Sequence, residues 1–114
     1  MVENLRFEEQ GKIGYVVINK QHFEDTNATI DDADGLTDFI RGISGVEVSF
    51  CITSLEYTKI SFRSRGEYTV NDIAQLFGGG GHYFAAGCEI QESEIEKTIV
   101  KILSELNRKI KHGN

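Results

Sequence analysis

One stretch decides the fold: residues 46–65, which read VEVSFCITSLEYTKISFRSR and contain two neighbouring strand-like segments. Apolar and polar side chains alternate over residues 46–53, which predicts a strand with one face in the core and the other in solvent. The alternation resumes after a short turn at residues 55–57, so the two strands are expected to pair antiparallel. The second strand places Ile60 and Phe62 in the core and turns four residues to its other face: Lys59, Ser61, Arg63 and Arg65.

Upstream of these strands, the sequence predicts a hairpin and a helix. Residues 12–18 are rich in β-branched and aromatic side chains, and the Gln-Gly pair before them can turn the chain back towards residues 5–7. Apolar residues then recur at helical spacing over residues 30–41. Thr29, with an aspartate three residues later, resembles a capping box, and Gly42 stands where a C-terminal cap belongs.

Downstream, the sequence predicts a short helix, a short strand and a long helix. Thr69 is placed to cap a helix over residues 70–77, and residues 88–90 form the strand. The apolar stripe of the short helix is predicted to consist of Ile73, Ala74, Leu76 and Phe77. Ser93, with a glutamate three residues later, forms a capping box for the long helix. One face of that helix holds Ile95, Ile99, Ile102, Leu103, Leu106 and Ile110.

The chain has 114 residues and a mass of 12.8 kDa, which suits one domain. The order of its elements predicts an α/β fold over residues 1–114, a mixed sheet of about five strands packed with about three helices. Hydrophobic residues make up 39% and charged residues 26%, and no apolar run is long enough for a membrane span or a signal peptide. These observations predict a cytoplasmic protein that contacts no membrane.

The net charge of −6 argues against general nucleic-acid binding, because a polyanion needs a basic surface. Residues 58–88 alone carry a positive balance, with three basic residues against two acidic ones. Six acidic residues and no base lie within residues 24–38. We interpret them as a solvated helix face, because metal-ligand spacing is absent. Cys51 and Cys88 have neither zinc-site nor disulfide-framework spacing and are expected to be reduced.

The most informative segment is residues 77–87, which read FGGGGHYFAAG. Four consecutive glycines are costly in chain entropy, and their N–H groups can converge into an anion-binding nest. No Lys-Ser or Lys-Thr pair follows and no βαβ context is present, which excludes a Walker loop and a dinucleotide fingerprint. His82 follows the run, where an imidazole can donate to phosphate or stack on a base. The alternative interpretation is a flexible connection between a helix and a strand.

Two arginines add to this site. Arg63 and Arg65 are expected to point the same way, about 7 Å apart along the strand. A guanidinium matches phosphate oxygens in two-point geometry, and we assign this role to Arg63. For Arg65 we favour ordinary ion pairing at the surface. No Ser/His/Asp set, Cys/His set or cluster of carboxylates and histidines is readable, so the residues indicate a binding site without catalytic or metal-binding groups.

These residues resemble a known signature. Residues 78–82 (GGGGH) and 85–87 (AAG) are similar to the motif of the DHH-associated domain, which phosphoesterases of the DHH family carry at their C-terminus. Residues 60–64 (ISFRS) resemble the strand that, in that family, presents an arginine to the phosphate of the substrate. The resemblance covers residues 12–110.

The resemblance implies a substrate-binding module of an enzyme that cleaves short oligoribonucleotides, nucleotide phosphates, cyclic dinucleotides or single-stranded DNA. It places the metal site, usually a manganese pair, in a separate N-terminal DHH domain joined in cis. No Asp-His-His motif occurs in this sequence. The chain is therefore expected to be the C-terminal part of a longer protein, without a cofactor of its own and inactive alone.

By matching position, the resemblance implies that ten residues contact the substrate: Arg63, Ser64, Gly78, Gly79, Gly80, Gly81, His82, Tyr83, Ala85 and Ala86. Many family members have a basic residue where this chain has Tyr83, and a tyrosine can stack on a base instead. The four-glycine run and the short distance from Arg63 to His82 resemble the oligoribonuclease and nucleotide bisphosphate phosphatase branch.

Two other functions stay open. One is a tRNA-binding module, because the C-terminal region of alanyl-tRNA synthetase resembles the same glycine-rich domain, although a net charge of −6 argues against it. The other is a structural or dimerising domain, in which Arg63 and His82 only satisfy neighbouring groups. A homodimer of the parent protein is compatible with either view.

Overall fold

The computed structural model describes residues 5–19, 30–54 and 57–112. The described residues form six strands and three α-helices, with a 3-10 turn at Glu92–Glu94 before the last helix. In chain order these are β1 (Arg6–Glu8), β2 (Ile13–Asn19), α1 (Ile30–Arg41), β3 (Val48–Ser54), β4 (Thr58–Ser64), α2 (Asn71–Leu76), β5 (Gly80–His82), β6 (Ala85–Ile90) and α3 (Ile95–His112). Within this part of the chain, no helix is both long enough and apolar enough to cross a bilayer.

The strands form one sheet in the order β1-β2-β3-β4-β6-β5. β2 and β3 run parallel and are connected through α1, whereas the other neighbours are antiparallel. The predicted α/β class and mixed sheet are therefore confirmed. The sheet has six strands instead of about five, because part of the glycine run forms a strand of its own, β5.

The N-terminal elements follow the sequence prediction. β1 and β2 form the expected hairpin, with Arg6 opposite Tyr15. α1 has the predicted bounds, and just beyond its end the N–H of Gly42 donates to the carbonyl of Asp38 at 3.1 Å. Thr29, predicted to cap α1, and turn residues 55–56 lie outside the described residues.

One face of the sheet carries the main core, beneath α2 and α3. Phe50 lies at its centre, stacked on Tyr15 with ring centroids 4.7 Å apart and tilted against Phe62 at 5.9 Å. Ile102 and Leu106 of α3 are fully buried against this face. The predicted apolar face of the last helix is therefore confirmed, since its other members also pack on the core: Ile95, Ile99, Leu103 and Ile110.

The second face of the sheet is covered by α1 over β2, β3 and β4. All seven residues of β3 are consequently buried, and the prediction of a half-buried strand was wrong. Small side chains make this cover possible: Cys51 joins Val16 and Ile40 in a second apolar cluster. Ser49 donates its hydroxyl to the carbonyl of Thr37 in α1 at 2.8 Å, so its polarity is satisfied inside the protein.

Three details of the later helices differ from the predictions. The N-cap of α2 is Val70, without a side-chain cap, and Thr69 instead donates its hydroxyl to the Asp72 carboxylate at 3.1 Å. Leu76 is 55% exposed and so does not belong to the apolar stripe. Ser93 lies within the 3-10 turn, and the α-helical part begins at Ile95.

Candidate functional site

Within the described part of the chain, α1 covers β2 and β3 and overlaps β4, whereas the same side of β6 and β5 is left open. Residues directly opposite each other in antiparallel strands share a face. Arg63 is paired with Ser49, whose side chain bonds α1, so Arg63 also points to the α1 side. We call this side of β4, β6 and β5 the open shelf. Its side chains form three rows, which are Arg63–Ala85–His82, Ser61–Gly87–Gly80 and Lys59–Glu89.

The glycine run first ends a helix. The N–H of Gly78 donates to the carbonyl of Gln75 at 3.1 Å, and the N–H of Gly79 donates to the carbonyl of Ala74 at 2.9 Å. With Gly78 at a φ of 86°, this is the Schellman arrangement that closes helix C-termini. The convergent anion nest predicted from the sequence does not form here, because these two donors bind α2.

The remaining glycines divide into two kinds. A Cβ on Gly79 would lie 2.2 Å from the carbonyl oxygen of Gly87, and one on Gly81 would lie 2.7 Å from the Cα of Ala86. Both positions therefore need glycine for packing alone. A Cβ on Gly80 would meet nothing within 4 Å, and its φ is not in the left-handed region. Gly80 is the one glycine of the run for which the fold gives no requirement.

A two-residue turn joins β5 to β6 and forms the tip of the shelf. Tyr83 is 66% exposed and Phe84 41% exposed, with their rings edge to face at 6.2 Å. The backbone of the tip is nonetheless fixed: the carbonyl of Tyr83 accepts from the N–H of Val70 at 2.7 Å, and that of Phe84 accepts from the N–H of Ser64 at 2.9 Å. His82, exposed on the edge strand, is thus held on a rigid hairpin.

The side chain of Arg63 is oriented by two bonds. Its Nε donates to Asp38 Oδ1 at 3.1 Å, and its Nη1 donates to the carbonyl of Phe62 at 2.8 Å. A guanidinium has five N–H donors, and contacts with the described residues use two of those of Arg63, which leaves three to consider for a ligand. The Arg63 side chain is 20% exposed, which leaves it accessible at the junction of α1 and the shelf.

Arg65 points the same way but has a different role. Its Nε donates to the carbonyls of Arg41 and Val46 at 3.1 and 2.6 Å, and its Nη2 donates to the carbonyl of Ile43 at 3.1 Å. These carbonyls follow the end of α1, where helix oxygens lack partners. The prediction of an ion pair at the surface was wrong for Arg65, since it binds backbone oxygens instead.

The structure brings only some of the predicted residues together. Arg63, Gly80, His82 and Ala85 lie on the shelf, with Tyr83 at its tip. Ser64 and Ala86 are buried on the opposite face, and the Ser64 hydroxyl accepts from the N–H of Gly66 at 3.1 Å. The other three glycines are needed for the backbone beside the shelf: Gly78, Gly79 and Gly81.

Sequence reasoning missed Lys59 and Glu89 as members of the site. They lie directly opposite each other on the shelf and line a groove of about 560 Å³ together with Phe77 and the glycine run. The alternation of β4 already put Lys59 on the face of Arg63. The partner Glu89 could be found only from the register between β4 and β6, which the sequence does not reveal.

The described part of the chain offers no metal site. Within residues 5–19, 30–54 and 57–112, no three His, Cys, Asp or Glu side chains cluster closely enough to hold an ion. A manganese pair therefore does not fit this part of the chain. Cys88 lines the groove, but its burial raises the pKa of the thiol to about 11, so it is protonated at neutral pH and a poor nucleophile.

Comparison with known proteins gives a family match. The family model described as "DHHA1 domain" matches residues 10–111. The chain is 29% identical over 90 residues to the bifunctional oligoribonuclease and PAP phosphatase NrnA of Thermus thermophilus. That match covers 78% of this chain and 28% of the relative, so the chain spans little more than a quarter of the relative's length.

Solved structures give the same fold. An exopolyphosphatase-related protein from Bacteroides fragilis superposes with a TM-score of 0.82 at 25% identity, covering 96% of this chain and 33% of that one. The C-Ala domain of alanyl-tRNA synthetase from Aquifex aeolicus superposes with a TM-score of 0.61 at 16% identity, covering 82% of this chain and 87% of that domain. At that identity the second likeness concerns the fold alone.

Proposed function

The chain belongs to the DHHA1 domain family, and from this premise we propose that it is the substrate-binding module of a DHH-family phosphoesterase. The proposed substrates are short oligoribonucleotides or nucleotide phosphates. The relative from Thermus thermophilus, whose name gives it both oligoribonuclease and PAP phosphatase activity, supports this choice. Because the chain spans 28% of that relative, we propose that catalysis takes place on a DHH domain joined in cis, which would hold the manganese ions.

One observation carries the proposal: Arg63 and His82 share a row of the open shelf, separated only by Ala85. Neighbouring strands lie about 4.8 Å apart, so the two backbones are about 10 Å apart and their side chains can reach one phosphate. The three N–H donors of Arg63 that bind none of the described residues can bind the oxygens of this phosphate. In this arrangement Arg63 and His82 bind phosphate, and the small Ala85 between them leaves room for it.

The other shelf residues suit the rest of a nucleotide. Gly80 lets a ligand approach the backbone, since no packing in the fold demands a glycine there. Tyr83 is exposed beside His82 and offers a ring on which a base can stack. A net charge of −6 is also easier to reconcile with one small ligand in a pocket than with a long polyanion bound along the surface. We also propose that the protein acts in the cytoplasm.

A titration of the isotope-labelled chain tests the proposal. We expect a 5′-phosphorylated diribonucleotide, but not inorganic phosphate at equal concentration, to shift the backbone amides of residues 78–86 and of Arg63. His82→Ala should weaken this binding about tenfold with the melting temperature unchanged, because an exposed donor to a charged group is lost. Undiminished binding by His82→Ala would count against the proposal.

The same titration separates the two alternatives. A tRNA-binding module would respond to a tRNA acceptor stem more strongly than to the dinucleotide, and in the described fold only the general likeness to C-Ala favours that outcome. A structural or dimerising domain would show no shifts with either ligand. In that case Arg63→Ala would lower the melting temperature through loss of its bond to Asp38 and change no affinity.

A further inference from the structure

The groove at the far end of the shelf has the chemistry of a nucleobase site. Lys59 and Glu89 face each other across β4 and β6 and both line this groove of about 560 Å³. Lys59 is half-buried and Glu89 is exposed. Although they are opposite in charge and adjacent, no ion pair within 4 Å joins either of them to another residue in the described part of the chain.

The charge of this end differs from that of the Arg63 end. An ammonium beside a carboxylate sums to zero, so the far end does not attract a second phosphate as Arg63 and His82 attract the first. It instead offers a donor and an acceptor side by side. A neutral planar group with an acceptor next to donors on its edge satisfies both, and nucleobases present such edges.

The dimensions and walls of the groove agree with one nucleotide. Lys59 lies four residues from Arg63 along β4, which is about 13 Å of strand, and both residues have long side chains that can contact a ligand between them. The wall near Lys59 is made by glycine backbone, against which a flat ring can lie closely, and by the partly buried aromatic Phe77.

We propose that Lys59 and Glu89 form a base-recognition subsite that selects guanine. Guanine presents O6 and N7 as adjacent acceptors for the Lys59 ammonium, and N1–H and N2–H as adjacent donors for the two oxygens of the Glu89 carboxylate. Adenine, cytosine and uracil each lack two adjacent donors on that edge. The proposal rests on the proposed function, in which the 5′-phosphate of the same nucleotide is bound by Arg63 and His82.

Four 5′-mononucleotides with guanine, adenine, cytosine or uracil test the proposal by calorimetry or amide shifts on the full chain. We expect the guanine nucleotide to bind about tenfold more tightly than the others, as a two-point base contact provides. Glu89→Gln has one acceptor instead of two and should reduce that preference to less than about threefold, while uridine 5′-monophosphate binds as before. Lys59→Met, which keeps most of the aliphatic stem, should reduce the preference similarly.

Glu96→Gln and Lys111→Met on α3 are matched controls, since both side chains are exposed and neither lines the groove. They should leave the guanine preference unchanged. Equal affinities for the four nucleotides, with binding that still depends on Arg63, would overturn the subsite and leave the proposed function standing. A Glu89-dependent preference for another base would overturn the assignment to guanine. Failure of all four to bind would overturn the subsite and the proposed function together.

Discussion

The central strand β3 and the outer strand β6 are covered differently. β3 is buried on both faces, beneath α1 on one side and against the core under α2 and α3 on the other. β6 is buried on one face only: Ala86 and Cys88 point into the core, while Ala85 and Gly87 are partly exposed on the open shelf and Glu89 is exposed there. The comparison indicates that packing at β3 holds the fold, which leaves the shelf side chains available for a ligand.

The largest expected effect comes from truncating the same residue type in β3 and at the tip of the shelf. Phe50→Ala should lower the free energy of unfolding by about 3 to 5 kcal/mol, because the ring is fully buried between Tyr15 and Phe62. Phe84→Ala, at the 41% exposed tip of the shelf, should cost less than about 1 kcal/mol. Urea unfolding of the two variants measures both free energies, and similar losses would refute the contrast between β3 and the tip of the shelf.

Most of the fold could be predicted from local patterns. The alternation around Phe50 and Ile60 gave the central strands, and the spacing of Ile102 and Leu106 gave the face of the last helix. The second cover of β3 could not be predicted, because Ser49 fits the pattern of a solvent-facing residue and only the fold shows its bond to the carbonyl of Thr37 in α1. Whether a small polar residue faces water or another element depends on tertiary packing, which the strand pattern alone does not contain.

The candidate site could be predicted less completely. His82 and Arg63 were found from residue type and neighbourhood, and β4 alternation placed Lys59 with Arg63. The run of glycines was ambiguous, because one composition serves a helix end at Gly78, close packing at Gly79 and open space at Gly80. Only the three-dimensional neighbours of each position separate these roles, and they depend on contacts distant in sequence.

Two alanine substitutions in the glycine run sharpen the comparison. Gly79→Ala should destabilise the chain by about 2 to 3 kcal/mol, because its Cβ would lie 2.2 Å from the Gly87 carbonyl oxygen. Gly80→Ala should leave the melting temperature within about 2 °C of the parent and still weaken dinucleotide binding, because its methyl group projects over the shelf. Thermal unfolding and titration of each variant measure the pair. A Gly80→Ala protein that binds the dinucleotide normally would show that the ligand does not contact the backbone at Gly80.

The two arginines of one sheet face give a smaller, opposite pair of effects. Arg65→Ala should lower stability by about 1 to 2 kcal/mol with ligand affinity unchanged, since its guanidinium binds three backbone carbonyls at the end of α1. Arg63→Ala should lower affinity about tenfold at a cost of less than about 1 kcal/mol, because its ion pair with the half-exposed Asp38 is screened by water. Denaturant unfolding and dinucleotide titration of both variants separate the roles. Loss of affinity in Arg65→Ala alone would reverse the assignment.

The smallest effect concerns the support beneath the covered face. The buried Lys109 of α3 donates to Asp72 Oδ2 at 2.7 Å and to the Thr69 hydroxyl at 2.9 Å, which ties α3 to the start of α2. Burial acts to raise the pKa of Asp72, but the hydrogen bond and charge of Lys109 outweigh it and hold that pKa below its ordinary value of 3.8. The carboxylate therefore stabilises the folded state fully above that ordinary value.

The stabilisation by Asp72 should be lost as pH falls through its lowered pKa in the folded state. Asp72 is half-exposed, so we expect a contribution of about 1 kcal/mol or less, and Asp72→Asn should remove it at neutral pH. The pKa of Glu105 is also lowered, by its hydrogen bond to Arg108, so Asp72 is not alone in contributing to acid sensitivity. The informative quantity is therefore the difference in unfolding free energy between the parent and Asp72→Asn, measured from pH 7 to pH 2. A difference that stays constant from pH 7 to pH 2 would mean that the charge of Asp72 does not stabilise the fold, whereas a difference that shrinks only in acid identifies the charge as the link between α2 and α3.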